Sequence, residues 1–388
     1  MDDHAAEKIR SFGTSVFAEM SRLAVLHKAV NLGQGFPDFA GPDFVKDAAK
    51  RAIDSDLNQY AISHGHPRLR RAIAHEFGSR FDVDVDPETD VTVASGATEV
   101  IFDAIQAFIG PGDNLVTFEP FYDSYPAATR MAGGTFTPIR LYPPDWSFDR
   151  DALRAAVTSR TRVLLLNTPH NPTGKVFTRD ELEFIADLAR ERNLVVLSDE
   201  VYDRILYHGA CHIPIATLPE MWGRTLTINS TGKTFSMTGW KIGYAIGPAT
   251  LNAAIRSVHQ FVTFASATPF QEAMAEAIEQ AEERDFYATL AAEYDERRRG
   301  LERALTDAGL TVLPIKGSYF LMADVADRGF STDVEFCRWL VSEHGVAAVP
   351  PSAFYLDAAS APLHARFCFA KSLETIAEAR TRLQSAFA

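Results

Sequence analysis

Five short polar segments follow apolar runs directly: Ser95-Gly96-Ala97-Thr98, Glu119-Pro120-Phe121-Tyr122, Asn167-Thr168-Pro169-His170-Asn171-Pro172, Ser198-Asp199-Glu200-Val201-Tyr202 and Asn229-Ser230-Thr231-Gly232-Lys233-Thr234. Singly, each has an ordinary structural reading, since Asn-Pro and Gly-Ala suit turns and a Ser or Asp after a strand caps a helix. Jointly they offer complementary chemistry. Ser95 to Thr98 would present backbone N–H groups and hydroxyls at a helix start, an anion site. Ser230 shares a tight turn with Lys233, and Lys241 follows soon after, so a phosphate could meet a hydroxyl and an ammonium as well. Asp199 closes a buried apolar strand, a costly place for a carboxylate without a positive partner. A protonated pyridine nitrogen is such a partner, and the carboxylate would keep that ring an electron acceptor. Asn171 and Tyr202 can hydrogen-bond a phenolic oxygen on the ring, and Tyr122 can stack on its face. Lys233 would supply an amine for a Schiff base and, once released, a base for proton transfer.

In an open α/β sheet, ligands collect beyond the carboxyl ends of the strands, so the runs before these segments are the positioning elements. They are Val91-Thr92-Val93, Leu115-Val116-Thr117-Phe118, Val163-Leu164-Leu165-Leu166, Leu194-Val195-Val196-Leu197, Leu226-Thr227-Ile228 and, later, Tyr244-Ala245-Ile246. Several are apolar on both faces, as strands of a mostly parallel sheet are. Between them, Leu182, Ile185, Ala186 and Ala189 fall at helical spacing within Arg179 to Arg192. The alternation predicts an α/β domain with helices on both sheet faces. From about Gln271 the pattern changes. An Ala/Glu/Arg-rich stretch to about Ala308 predicts one or two exposed helices. Strand-like runs at Tyr319 to Ala323, Val346 to Val349 and Ala365 to Phe369 follow, with a helix near Val334 to Glu343 and another at the end, a smaller α+β unit. The expected division is an N-terminal arm with part of the small domain over 1–44, a large domain over 45–280 and a small domain over 281–388.

The 388 residues allow two or three domains, and 46% hydrophobic with 23% charged residues is ordinary globular composition. A net charge of −13 argues against nucleic acid or an anionic membrane as partner. No apolar run reaches the length of a membrane span. Cys211, Cys337 and Cys368 form no CxxC pair, which fits a reducing cytosol and argues against a zinc knuckle. The polar start Met1-Asp2-Asp3-His4 reads as neither signal nor transit peptide, and a cytoplasmic protein is expected. Two rival motifs fail. Gly232-Lys233-Thr234 resembles the tail of a P-loop, but the first glycine of that motif would fall at Thr227. Gly33-Gln34-Gly35-Phe36-Pro37-Asp38 lacks the third glycine of a dinucleotide fingerprint and precedes the sheet.

Three segments, Asn167 to Gly174, Ser198 to Tyr202 and Ser230 to Gly243, resemble class I/II aminotransferases of fold type I. The resemblance runs from about Val30 to Lys371. Within that family it is similar to kynurenine aminotransferase, also called glutamine transaminase K or cysteine-S-conjugate β-lyase, on Asn31 to Phe39, Thr225 to Ile228, Lys316 to Leu321 and Arg366 to Phe369. Methionine and N-succinyl-diaminopimelate aminotransferases share much of this pattern. The resemblance implies a large domain with a mostly parallel seven-stranded sheet and a smaller α+β domain. It implies pyridoxal 5′-phosphate held on Lys233, with Asp199 and Tyr202 as its catalytic partners and Ala97, Thr98, Tyr122, Asn171, Ser230 and Lys241 around it. It implies a homodimer with shared active sites, in which Tyr60 reaches the phosphate of the neighbouring subunit's cofactor. Gly35, Asn171, Arg366, Phe17 and Phe264 would contact the substrate, Arg366 clamping its α-carboxylate. An arginine in an apolar strand needs an anion, and a planar fork fits a carboxylate; the alternative is a structural ion pair. Thr98 and Ala265 depart from the tyrosine and histidine of the kynurenine enzymes, which puts kynurenine in question as substrate and leaves the cofactor chemistry intact. The expected reaction moves an amino group from a large uncharged amino acid to a 2-oxo acid. The alternatives are a cysteine-S-conjugate β-lyase and an N-succinyl-diaminopimelate aminotransferase.

Overall fold

The computed structural model describes residues 15–387 without a break, together with His4, 6–10, 12 and 13; the acidic stretch Met1-Asp2-Asp3 lies outside the described residues. The strands in chain order are β1 (Val30–Asn31), β2 (Val91–Ala94), β3 (Asn114–Glu119), β4 (Thr135–Tyr142), β5 (Ser147–Phe148), β6 (Thr161–Asn167), β7 (Val195–Asp199), β8 (Thr225–Ser230), β9 (Gly243–Ile246), β10 (Thr311–Val312), β11 (Phe320–Asp324), β12 (Val346–Ala347) and β13 (His364–Cys368).

Eight strands form one sheet in the order β2-β9-β8-β7-β6-β3-β4-β5. Neighbours from β8 through β7, β6 and β3 to β4 pair in parallel. β9 runs against both β2 and β8, and β5 runs against β4. Side chains alternate faces along each strand, and the apolar runs use both. Leu115, Leu165 and Leu197 share a core with Val100, Ile101, Ile105, Tyr125 and Ile255. Their neighbours Val116, Leu164, Leu166 and Val196 pack instead against Leu182, Ile185 and Leu188. Helix Arg179–Glu191, which carries the latter group, starts with a capping box in which Thr178 and Glu181 satisfy each other's backbone N–H.

The sheet has eight strands where seven were expected. The addition is β5, two residues paired to Leu141 and Tyr142. β4 also escaped the search for apolar runs, because it is largely half-exposed and contains Pro138. β5 stops short of Pro138, so the strand has an open edge there and the missing N–H costs no ladder bond.

A second sheet, β10-β11-β13, is antiparallel and shares a core with helices Phe286–Asp307, Asp333–His344 and Leu373–Ala386. The N-terminal segment joins this part. β1 pairs in parallel with β12, and Met20 and Ala24 of helix Val16–Leu26 enter the same core. One expectation about exposure fails. Helix Thr268–Ala281 buries Ala273, Met274, Ala277 and Ala281, because its small side chains let helices Asp43–Asp54 and Pro67–Phe81 approach closely.

β2, β3, β6, β7 and β8 all point the same way. Their last residues, Ala94, Glu119, Asn167, Asp199 and Ser230, therefore line one edge of the sheet, and every polar segment picked out in the sequence begins there.

Candidate active site

Above that edge lies a cleft of about 370 Å³. Helix Ala97–Phe108 starts at its floor; Glu99 and Val100 donate to the Gly96 carbonyl, which leaves the N–H groups of Ala97 and Thr98 without an intrahelical acceptor. Two glycines shape this corner. Gly96 has φ +86°, and a β-carbon on it would meet Lys241 Nζ at 3.0 Å. A β-carbon on Gly243 would fall 2.3 Å from Ala97 N. Without side chains at either position, Lys241 can lie against the start of the helix, and Lys241, Ala97 and Thr98 line the same cleft. Ser230 adds a hydroxyl, which caps helix Thr231–Thr234 by accepting from Gly232 N at 3.3 Å and donates to Ile242 O at 3.3 Å. This is a cradle for an anion.

Lys233 rises from that short helix. Its Nζ donates to Tyr319 Oη at 2.9 Å and lies 3.5 Å from the Gly35 carbonyl. Desolvation in this buried setting brings its pKa down to about 8, with Lys241 and Arg366 adding repulsion and Asp199 opposing. Asp199 is buried, and desolvation lifts its carboxyl to about 6. The Tyr125 hydroxyl donates to Asp199 Oδ2 at 2.6 Å and restrains that rise. A carboxylate so placed wants a cation. Tyr202 stands edge-on to Tyr319 with centroids 5.0 Å apart, and Tyr122 lines the cleft beside Thr98.

At the other end of the cleft is Arg366 of β13, buried within aromatic rings. Its guanidinium carbon lies 4.1 Å from the Phe320 centroid, 5.1 Å from Phe17 and 5.3 Å from Phe354. Nη1 donates to Asn171 Oδ1 at 3.0 Å and Nη2 to Gly33 O at 2.9 Å, while Nε is buried and has no partner among the described residues. Among the described residues no carboxylate lies within salt-bridge distance, so the structural ion pair is not formed. Because Asn171 gives its oxygen to Arg366, its amide N–H₂ is left to donate elsewhere.

Residues 27–383 match the family model for aminotransferase class I and II. The chain belongs to that family. It is 44% identical over 386 residues to a probable N-succinyldiaminopimelate aminotransferase of Mycobacterium tuberculosis, covering 97% of each chain. It is 40% identical to a kynurenine–oxoglutarate transaminase of Dictyostelium discoideum, covering 91% of this chain and 89% of the other. A solved Escherichia coli structure, reported to have methionine aminotransferase function, superposes with a TM-score of 0.94 at 38% identity over 98% of this chain and 99% of that one. Class I/II aminotransferases depend on pyridoxal 5′-phosphate, and the residues of this aminotransferase fit that cofactor. The buried Asp199 suits a ring nitrogen, the helix-start cradle suits a phosphate, and the buried Lys233 amine suits an aldehyde carbon.

The cleft of the aminotransferase brings together Ala97, Thr98, Tyr122, Asn171, Asp199, Tyr202, Ser230, Lys233, Lys241, Gly35, Phe17 and Arg366. Tyr60 and Phe264 are not among its walls. They meet edge-on at the surface, centroids 5.4 Å apart, and are 84% and 47% exposed. Sequence reading missed Tyr125 and Tyr319, whose partners are distant in the chain, and Asn167, whose side chain accepts from Asn171 N at 2.7 Å. An Asn closing a buried strand was the available signal for the last of these. Among the described residues no helix is long and apolar enough to cross a membrane.

Proposed function

We propose that this aminotransferase takes large uncharged donors, such as methionine, phenylalanine, tyrosine, tryptophan, glutamine or kynurenine, and passes the α-amino group to a 2-oxo acid in a ping-pong cycle. The observation that carries the substrate class is the setting of Arg366. It is the one arginine lining the cleft among the described residues, and the other cations there, Lys233 and Lys241, sit at the amine and phosphate positions. One carboxylate has a partner, and a second charge would be desolvated without compensation. Phe17, Phe36, Tyr122 and Phe320 leave an apolar surface for the rest of the side chain.

Bound pyridoxal 5′-phosphate supplies an electron sink for negative charge at the substrate's Cα. The chain's own groups do the rest. Arg366 and the backbone at Gly35 hold the donor, with Asn171 bracing the guanidinium. Asp199 would keep a proton on the ring nitrogen, Tyr202 and the Asn171 amide would hold the ring oxygen, and Tyr122 would cover the ring face. Ala97, Thr98, Ser230 and Lys241 take the phosphate. Lys233 would hold the cofactor, and its amine would be the base that moves the proton at Cα. The fall of its pKa to about 8 makes the neutral amine, the form a base needs, far more accessible near neutral pH than for an ordinary lysine.

The exposed pair Tyr60 and Phe264, with Phe261 shortly before Phe264 in sequence and also exposed, supports a homodimer in which Tyr60 completes the partner's phosphate site and Phe264 its substrate pocket. Three free cysteines and the acidic balance support a cytoplasmic setting. A second reading has its own support, since the M. tuberculosis relative is named for N-succinyldiaminopimelate. The deciding comparison is kcat/KM for methionine and phenylalanine against aspartate and N-succinyl-diaminopimelate. The uncharged donors should win by at least tenfold, about 1.4 kcal/mol of transition-state binding. A tenfold preference for either acidic donor overturns the apolar-pocket reading.

A further inference from the structure

Tyr319 stands just before β11, on the small sheet's side of the cleft, and no motif pointed to it. Its ring is fully buried, stacked on Tyr294 with centroids 6.0 Å apart and edge-on to Tyr202. A phenol in such a slot cannot swing. Its single proton is committed, because the hydroxyl donates to the Gly35 carbonyl at 2.5 Å. The oxygen is therefore presented to Lys233 as an acceptor, and Nζ donates to it at 2.9 Å.

We infer that Tyr319 is a positioning residue for the proton-transferring amine of Lys233: its fixed hydroxyl receives one amine N–H and so turns the amine's lone pair away from the wall, toward the cleft. The inference rests on the reading of Lys233 as the cofactor lysine. Every hydrogen bond needed is in place. The oxygen cannot act as a competing donor to the amine while its proton is held by Gly35, so it orients the base without protonating it. The same hydroxyl ties the loop at Gly35, which forms the substrate wall, to the lysine that works on the substrate. The groups facing Lys233 are Asp199 from β7, Arg366 and Cys368 from β13, Lys241, and the rings of Tyr202 and Tyr319. Of these, the Tyr319 hydroxyl lies at hydrogen-bond distance from Nζ, and the Gly35 carbonyl makes a longer approach.

The test is Tyr319→Phe in the holoenzyme, which keeps the stacked ring and deletes the hydroxyl. A bond to a group that becomes charged should be worth about ten- to hundredfold, so kcat falls by that factor with donor KM little changed. The kinetic isotope effect from an α-deuterated donor should rise, since Cα proton transfer becomes slower. In cofactor-free protein, the pH midpoint for acetylation of Lys233, followed by peptide mass spectrometry, should move to lower pH because the ammonium loses an acceptor. Borohydride reduction of the wild-type holoenzyme is run alongside. A pyridoxyl adduct on a lysine other than Lys233 overturns the reading of Lys233 and this inference with it. With the adduct on Lys233, a variant that raises donor KM while leaving kcat, isotope effect and midpoint unchanged shows that Tyr319 serves only the Gly35 wall. A variant that does not fold assigns the hydroxyl a structural role, which also overturns the inference.

Discussion

Asp199→Asn should make the cofactor-free protein more stable while crippling the enzyme. Folding moves the Asp199 carboxyl from 3.8 up to about 6, mainly by desolvation. The folded chain thus holds this proton more tightly than the unfolded chain does. The associated stability is fully present below 3.8 and is lost as the pH rises through about 6. At about 1.4 kcal/mol per pH decade, the ionised carboxylate costs the cofactor-free fold about 3 kcal/mol under mildly alkaline conditions. An asparagine removes that charge, and its oxygen still accepts from the Tyr125 hydroxyl, now 2.6 Å from Oδ2. Its amide N–H₂ faces the Val201 N–H, 3.5 Å from Oδ1 in the wild type, which subtracts part of the gain. The net expectation is a stabilisation of about 1 to 3 kcal/mol. Urea unfolding of both cofactor-free proteins at mildly alkaline pH reads it directly, and the gap should close as the solution is acidified. In the holoenzyme the order reverses. The ring nitrogen no longer has its counter-charge, so the variant should bind cofactor up to about a hundredfold more weakly and lose kcat by orders of magnitude. A variant less stable than wild type at every pH, or a gap that ignores pH, would refute the claim that Asp199 is held at an electrostatic cost.

Arg366→Lys keeps the charge but loses the fork that spans Asn171 and Gly33, and it should lower kcat/KM for every donor by about ten- to hundredfold, mostly through KM; steady-state kinetics on methionine suffice, and a change below threefold would show that the carboxylate binds elsewhere. Tyr60→Ala and Lys233→Ala, each inactive alone, should regain partial activity when subunits exchange, since a hybrid dimer holds one intact site; no recovery after demonstrated exchange would mean that each site is built from one chain.

Much of this protein was legible in residue order alone. Five polar segments, each closing an apolar run, located Asp199, Asn171, Tyr202, Ser230 and Lys233, because strands of one direction must deliver their ends to one edge. The alternation of buried runs with the helical pattern of 179–191 set the fold class for the same reason: each burial period belongs to one kind of element. Other features were decided only in three dimensions. β4 was hidden because an edge strand needs few buried side chains and tolerates Pro138. Helix Thr268–Ala281 read as exposed from its charges, but alanines decide how closely a neighbour can come. Tyr125 meets Asp199 across 74 residues of chain, and Tyr319 meets Lys233 across 86. Spacing carries information only where the chain itself fixes the distance between two residues, within a turn, a helix or a strand end. Contacts such as these are set by how a helix packs on the large sheet and how the small sheet closes over it, and the residues concerned look in sequence like any other buried tyrosine.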